Sequence, residues 1–169
     1  SAWKSFTSRN FKVIGETGHV YGYGKSVWAM IDLDTRQPAD ILAVRGGLIT
    51  EYIETEYSCP IEKSSRVKMS ADATPVRSID TYYNDVDING HINSVKYIEH
   101  MLDLWDVAWY KQHRIKRFEI AYVAESHQGD KLHFYREQRG TETDFNVRIT
   151  KSNVEREETE VCRCRVQFV

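Results

Sequence analysis

The feature that most constrains the fold is a long amphipathic run, His91 to Tyr110, set between strand-like segments. Its apolar residues Val95, Ile98, Met101, Leu102, Trp105, Ala108 and Trp109 recur at three- and four-residue spacing, which makes one buried face of a helix. A helix of about 18 residues, roughly 27 Å at 1.5 Å per residue, needs a second apolar layer to cover that face. Strand-like runs supply it. One precedes the helix, Val76 to Tyr83, and four follow: Arg117 to Ala124, Lys131 to Glu137, Thr143 to Lys151 and Glu160 to Val169. Gly129-Asp130, Gly140 and Ser152-Asn153 mark the turns between them. The last run alternates, with Val161, Arg163, Arg165 and Gln167 on one parity and Cys162, Cys164, Val166 and Phe168 on the other. Consecutive strands joined by tight turns are antiparallel.

A curved antiparallel sheet wrapped around one long central helix meets both demands. That is an α+β arrangement, the hot-dog fold. The first part of the chain differs. Phe6, Phe11 and Val13, then a longer run from about Val20 to Leu33, flank Gly15 to Gly18 and predict a hairpin. Asp34-Thr35 reads as a cap or turn, and Pro38 with Asp40 opens an amphipathic stretch that Gly46-Gly47 splits into two short helices. This part has two strands at most and no long helix, so by itself it is not a second copy of the fold. Between the parts, Glu54 to Pro75 holds two of the three prolines, many Ser, Lys and Glu residues and little periodicity, as a linker does.

Composition narrows the function classes. With 169 residues, 41% apolar and 28% charged, the chain can build a core without staples. A net charge of −2 lacks the basic excess of a nucleic-acid binder. Apolar runs fall short of a membrane span and no charged-then-apolar leader is visible, so the expectation is a cytoplasmic protein. Cys59, Cys162 and Cys164 are read as reduced thiols. Without further ligands at a fitting spacing, neither a metal nor another cofactor is expected.

Asp85-Val-Asp-Ile-Asn-Gly-His-Ile-Asn93 lies between a strand and the helix. Three readings compete. In the first it is a polar turn, with Asn93 capping the helix. In the second, Asp85, Asp87, Asn89 and Gly90 match the first half of an EF-hand, but position twelve, which requires a bidentate Glu, is Lys96. The third reading is catalysis at a helix N-terminus, where free N–H groups and a partial positive charge stabilise a developing oxyanion. Ala121-Tyr-Val-Ala-Glu-Ser126 ends the next strand. Glu125 there is either a solvated strand-end carboxylate or a general base beside His91.

At these residues the chain resembles the acyl-acyl carrier protein thioesterases of plants and bacteria. Asp87-x-Asn89-x-His91-x-Asn93-Ser-Val-Lys-Tyr-Ile98 is similar to that family's signature, and Phe118 to Ser126 to its second catalytic segment. Ser26-Val-Trp-Ala-Met-Ile31 and Asp34-Thr-Arg36 look like the end of its first domain. The resemblance implies tandem hot-dog domains with an incomplete first copy: residues 1–53 the C-terminal portion of a first domain, 54–75 a linker, and 76–169 a complete second, catalytic domain. It implies a thioester hydrolase of fatty acid biosynthesis that acts on fatty acyl-acyl carrier protein. Asp87, Asn89, His91 and Glu125 match the catalytic set, and Ser126 stands where plant members have a cysteine. The expected partners are acyl carrier protein and a fatty acyl thioester, with a homodimer as a candidate assembly. His113-Arg-Ile-Lys-Arg117 is either a carrier-docking patch or a solvated loop.

The expected mechanism is direct hydrolysis. Glu125 takes a proton from a water held by His91 and Asn89, and Asp87 fixes the loop. Backbone N–H groups from Ile92 to Val95 receive the oxyanion.

Overall fold

The structure is a computed structural model that describes residues 2–153 and 158–169. The chain divides into two compact units, residues 1–63 and 64–169.

The first unit carries a three-stranded antiparallel sheet: β1 (Ala2–Trp3), β2 (Phe6–Ile14) and β3 (Val20–Ala29) in that order. The predicted hairpin is β2–β3, and a two-residue strand that the alternation did not reveal is added at its edge. The second strand stops at Ala29 instead of running to Leu33. The reason is local. Asp32 Oδ1 accepts the N–H groups of Asp34 and Thr35 and the Thr35 hydroxyl, which folds the chain into a tight turn. The predicted break at the paired glycines is present. A 3₁₀ stretch, Val44–Tyr52, is interrupted where Arg45, Gly46 and Gly47 take positive φ.

The second unit is the hot-dog. Five antiparallel strands, β4 (Arg77–Asp80), β5 (Ile115–Tyr122), β6 (Lys131–Arg139), β7 (Thr141–Ser152) and β8 (Glu158–Phe168), lie in the order β4-β6-β7-β8-β5. Each strand presents alternate residues to one face. Leu132 and Phe134, Val147 and Ile149, and Cys162, Cys164 and Val166 make that face apolar and buried. Tyr97, Met101 and Trp105 from the helical segment pack against it.

The predicted single helix from His91 to Tyr110 is a correction. It is two helices, α1 (Ser94–Leu102) and α2 (Val107–Gln112). Asn93 caps the first, its Oδ1 accepting the Val95 N–H at 2.9 Å, so α1 begins three residues late. Asp106 caps the second, its Oδ1 accepting the Trp109 N–H at 2.8 Å. Between them the Tyr110 hydroxyl donates to the Leu102 carbonyl at 2.7 Å, satisfying a group that the break leaves open. Both helices still offer apolar residues to the core, so the period survives the break.

Residues 64–75 run along the other, polar face of this sheet. The Ser65 N–H donates to Glu119 Oε2, the Asn146 side-chain amide to the Lys68 carbonyl, and the Ser70 N–H to the Glu137 carboxylate. Arg165, held by both oxygens of Asp144, also reaches the Ser65 hydroxyl.

Candidate active site

The loop from Asp85 to Asn93 is held from within. Asp87 Oδ1 accepts the Asn89 N–H at 2.8 Å and the His91 N–H at 3.3 Å. The Asp87 N–H donates to the His91 carbonyl at 2.8 Å, and the Gly90 N–H to the Asp87 carbonyl at 3.1 Å. The Asn89 amide, aided by the His91 amide, holds the Asp87 carboxyl below its ordinary value against the opposing effect of burial. The turn needs Gly90, whose φ is +80°. Asp85 is nearly buried and structural. Its carboxylate accepts the Tyr82 N–H at 2.8 Å and pairs with His100 Nε2 at 3.2 Å.

Two bonds fasten the loop and the start of α1 to β5 and the chain beyond it, and a third closes the loop. The Ile92 N–H donates to the Ser126 carbonyl at 2.8 Å. The Tyr122 hydroxyl donates to the Ser94 carbonyl at 3.1 Å. The Asn93 N–H donates to the Asp85 carbonyl at 2.7 Å and closes the loop on itself. As a result His91 Nε2 lies 3.4 Å from Glu125 Oε2, with the two side chains 30% and 52% exposed. An acid and an imidazole from segments 34 residues apart in sequence meet at an accessible surface.

The remaining residues fall differently. Asn89 is exposed on the same loop. Ser126 is fully buried; its carbonyl serves the loop, and its hydroxyl has no hydrogen-bond partner among the described residues. The Tyr97 hydroxyl beside it closes no hydrogen bond of normal length, and burial pushes its pKa up to about 12. Of the N–H groups expected to receive an oxyanion, three are already committed: Ile92 to Ser126, Asn93 to Asp85, and Val95 to the Asn93 side chain. Only the Ser94 N–H has no partner among the described residues.

Sequence reasoning stopped one residue short of His127. Its ring meets the His91 ring edge to face, centroids 5.0 Å apart. An imidazole directly after Glu-Ser was the available signal. In the basic cluster, His113 stacks on Trp109 and Arg117 pairs with Glu119, which leaves Arg114 and Lys116 exposed. The first unit has its own cleft of about 810 Å³, lined by Arg9, Phe11, Lys12, Tyr23, Ile49 and Tyr57 among others, which holds none of the candidate residues.

The sheet, the buried helical segment and the acid–imidazole pair at the helix start define a hot-dog protein of the thioesterase kind. The chain belongs to the acyl-ACP thioesterase family: residues 68–169 match the model of the acyl-ACP thioesterase C-terminal domain and residues 1–44 that of the N-terminal domain. It is similar to an acyl-ACP thioesterase of Bacteroides thetaiotaomicron, with a TM-score of 0.88 and 46% identity over 100% of this chain and 65% of that one. The 12:0-ACP thioesterase of Umbellularia californica shares the fold, with a TM-score of 0.79 at 20% identity over 100% of this chain and 64% of that one. The palmitoyl-acyl carrier protein thioesterase of Arabidopsis thaliana chloroplasts is 30% identical over 112 residues, 64% of this chain. The match spans 27% of that relative's length.

Proposed function

We propose that the chain hydrolyses fatty acyl-acyl carrier protein to free fatty acid and carrier thiol, with the catalytic hot-dog at residues 76–169 and residues 64–75 laid against its sheet. The observation that carries this is the 3.4 Å pairing of His91 with Glu125 beside the first turn of α1. Glu125 is the base that takes a proton from the attacking water, and His91 orients its carboxylate and that water. Asn89, exposed on the loop, helps to hold the water. The Ser94 N–H, at the positive end of α1, receives the carbonyl oxygen as it gains charge. Asp87 acts through the His91 backbone. Ser126 acts through its carbonyl on Ile92, because a buried hydroxyl without an adjacent base is a poor nucleophile.

An apolar acyl group fits the surroundings. Ile88 on the loop, Val95 on the first turn of α1, and Tyr122 and Val123 at the end of β5 are all exposed. Expected outcomes follow for turnover of acyl-carrier protein measured by free-thiol release. Glu125→Ala lowers kcat by about 10²-fold or more, while Ser126→Ala stays within a few-fold of the parent. The reverse pattern would make Ser126 the nucleophile. Faster turnover of the coenzyme A ester would reassign the carrier, and binding without release would reassign the protein as an acyl binder.

A further inference from the structure

We infer that His127 is the proton donor to the departing thiolate, a catalytic role that rests on the thioesterase reading above. Three observations point to it. The backbone of His127 is pinned: its N–H donates to Asp130 Oδ2 at 2.9 Å, and its carbonyl accepts the Thr81 hydroxyl at 3.1 Å and the Asp130 N–H at 3.2 Å. Thr81 is itself buried and also accepts the Gly129 N–H, so the turn from His127 to Asp130 is anchored to the strand end beyond β4. Held this firmly, the residue nevertheless leaves both ring nitrogens without a hydrogen-bond partner among the described residues, and its ring edge-to-face with His91. An imidazole fixed in place but uncommitted at its nitrogens is suited to proton transfer.

The third observation is where it stands. His127 is exposed, whereas His91 is half-buried and the Ser94 N–H lies at the helix start. The acyl carbonyl must approach that N–H, while the thiol is tethered to a macromolecular carrier and must leave toward solvent. The exposed imidazole is therefore on the leaving-group side. The group that its ring meets is the His91 imidazole, which is itself paired with Glu125; Asp130, which holds the His127 backbone N–H, is paired in turn with Lys151 at 3.4 Å.

The step balances without a further reactant. Water attacks the carbonyl carbon and gives one proton to Glu125. The carbon–sulfur bond breaks with its electron pair on sulfur, and the imidazolium N–H proton of His127 passes to that sulfur. The products are the carboxylic acid and the free thiol. The proton on Glu125 returns to His127 through solvent, to which both groups are open.

Leaving-group dependence tests this in the full chain. The comparison uses one fatty acyl group on N-acetylcysteamine, whose thiolate needs protonation, and the same acyl group on a nitro-substituted thiophenol, whose thiolate does not. His127→Gln should lower kcat on the alkyl thioester at least about tenfold, and clearly less on the aryl thioester. An equal loss on both would make His127 a positioning residue and overturn the proposal, as would no loss on the alkyl thioester. If the unsubstituted chain turns over neither ester, the thioesterase reading itself fails and this inference falls with it.

Discussion

At the scale of single residues, the site depends on backbone as much as on side chains. Asp87 holds His91 through the backbone: its carboxylate accepts the His91 N–H while its own N–H donates to the His91 carbonyl. Gly90 completes the turn in the left-handed region, where a side chain costs about 1–2 kcal/mol. Gly90→Val is therefore expected to lower kcat more than it lowers the melting temperature, because the strain falls on the loop that carries His91. Equal parent and variant kcat would show that the loop does not position the imidazole. Ser126 makes the complementary point. Its place in the sequence suggests reactivity, but its side chain is buried and its carbonyl makes the useful bond.

At the scale of elements, strand β8 decides the fate of two thiols. Cys162 and Cys164 both point into the core, as their shared parity predicts. Burial raises both thiols and pushes Cys164 up to about 12, so neither presents thiolate near neutral pH. Cys59 is partly exposed in the other unit. A thiol-specific reagent should label Cys59 promptly in the native protein, and Cys162 and Cys164 only after denaturation. Prompt labelling of all three would mean that β8 opens readily. The helical segment shows where pattern reading fails at this scale. Its apolar spacing continues through Asp103 to Asp106, yet the backbone breaks there. Asp106 binds the Trp109 N–H, and a single capping residue outweighs the weak preference for continuing the helix.

At the scale of the whole molecule, the polar face of the sheet is where pH acts on stability. The Arg165 guanidinium holds both oxygens of Asp144, with Gln167 as a third donor, and keeps the Asp144 carboxyl below its ordinary value of 3.8. A carboxyl lowered by folding adds stability that is present above about pH 4 and lost as pH falls through the folded-state value. Asp144→Asn should thus cost about 2–4 kcal/mol at neutral pH and flatten the loss of stability on acidification below about pH 4. Chemical denaturation across that range measures both. An unchanged acid dependence would show that the pair is not coupled to folding.

Much of this was legible in the residues. Alternation located all four strands after the helix and the two of the hairpin, since a half-buried strand must repeat every two residues. The loop and Glu125 stood out because the chain resembles a known catalytic signature there; taken alone, a polar helix start and a strand-end acid also have ordinary structural uses. The amino-acid order alone thus determined where the second unit's strands and helical segment fall and which residues of the last strand are buried, and it made the Asp87–His91 segment a candidate site, because these depend on local periodicity and turn chemistry. Only the tertiary structure decided that β5 pairs with β8 instead of β6, which strand edge faces the helix start, that three of the four expected N–H groups are already bound, and that His127 stands beside His91. Those outcomes depend on which distant groups are brought within a few ångströms of one another, and no local pattern encodes that distance.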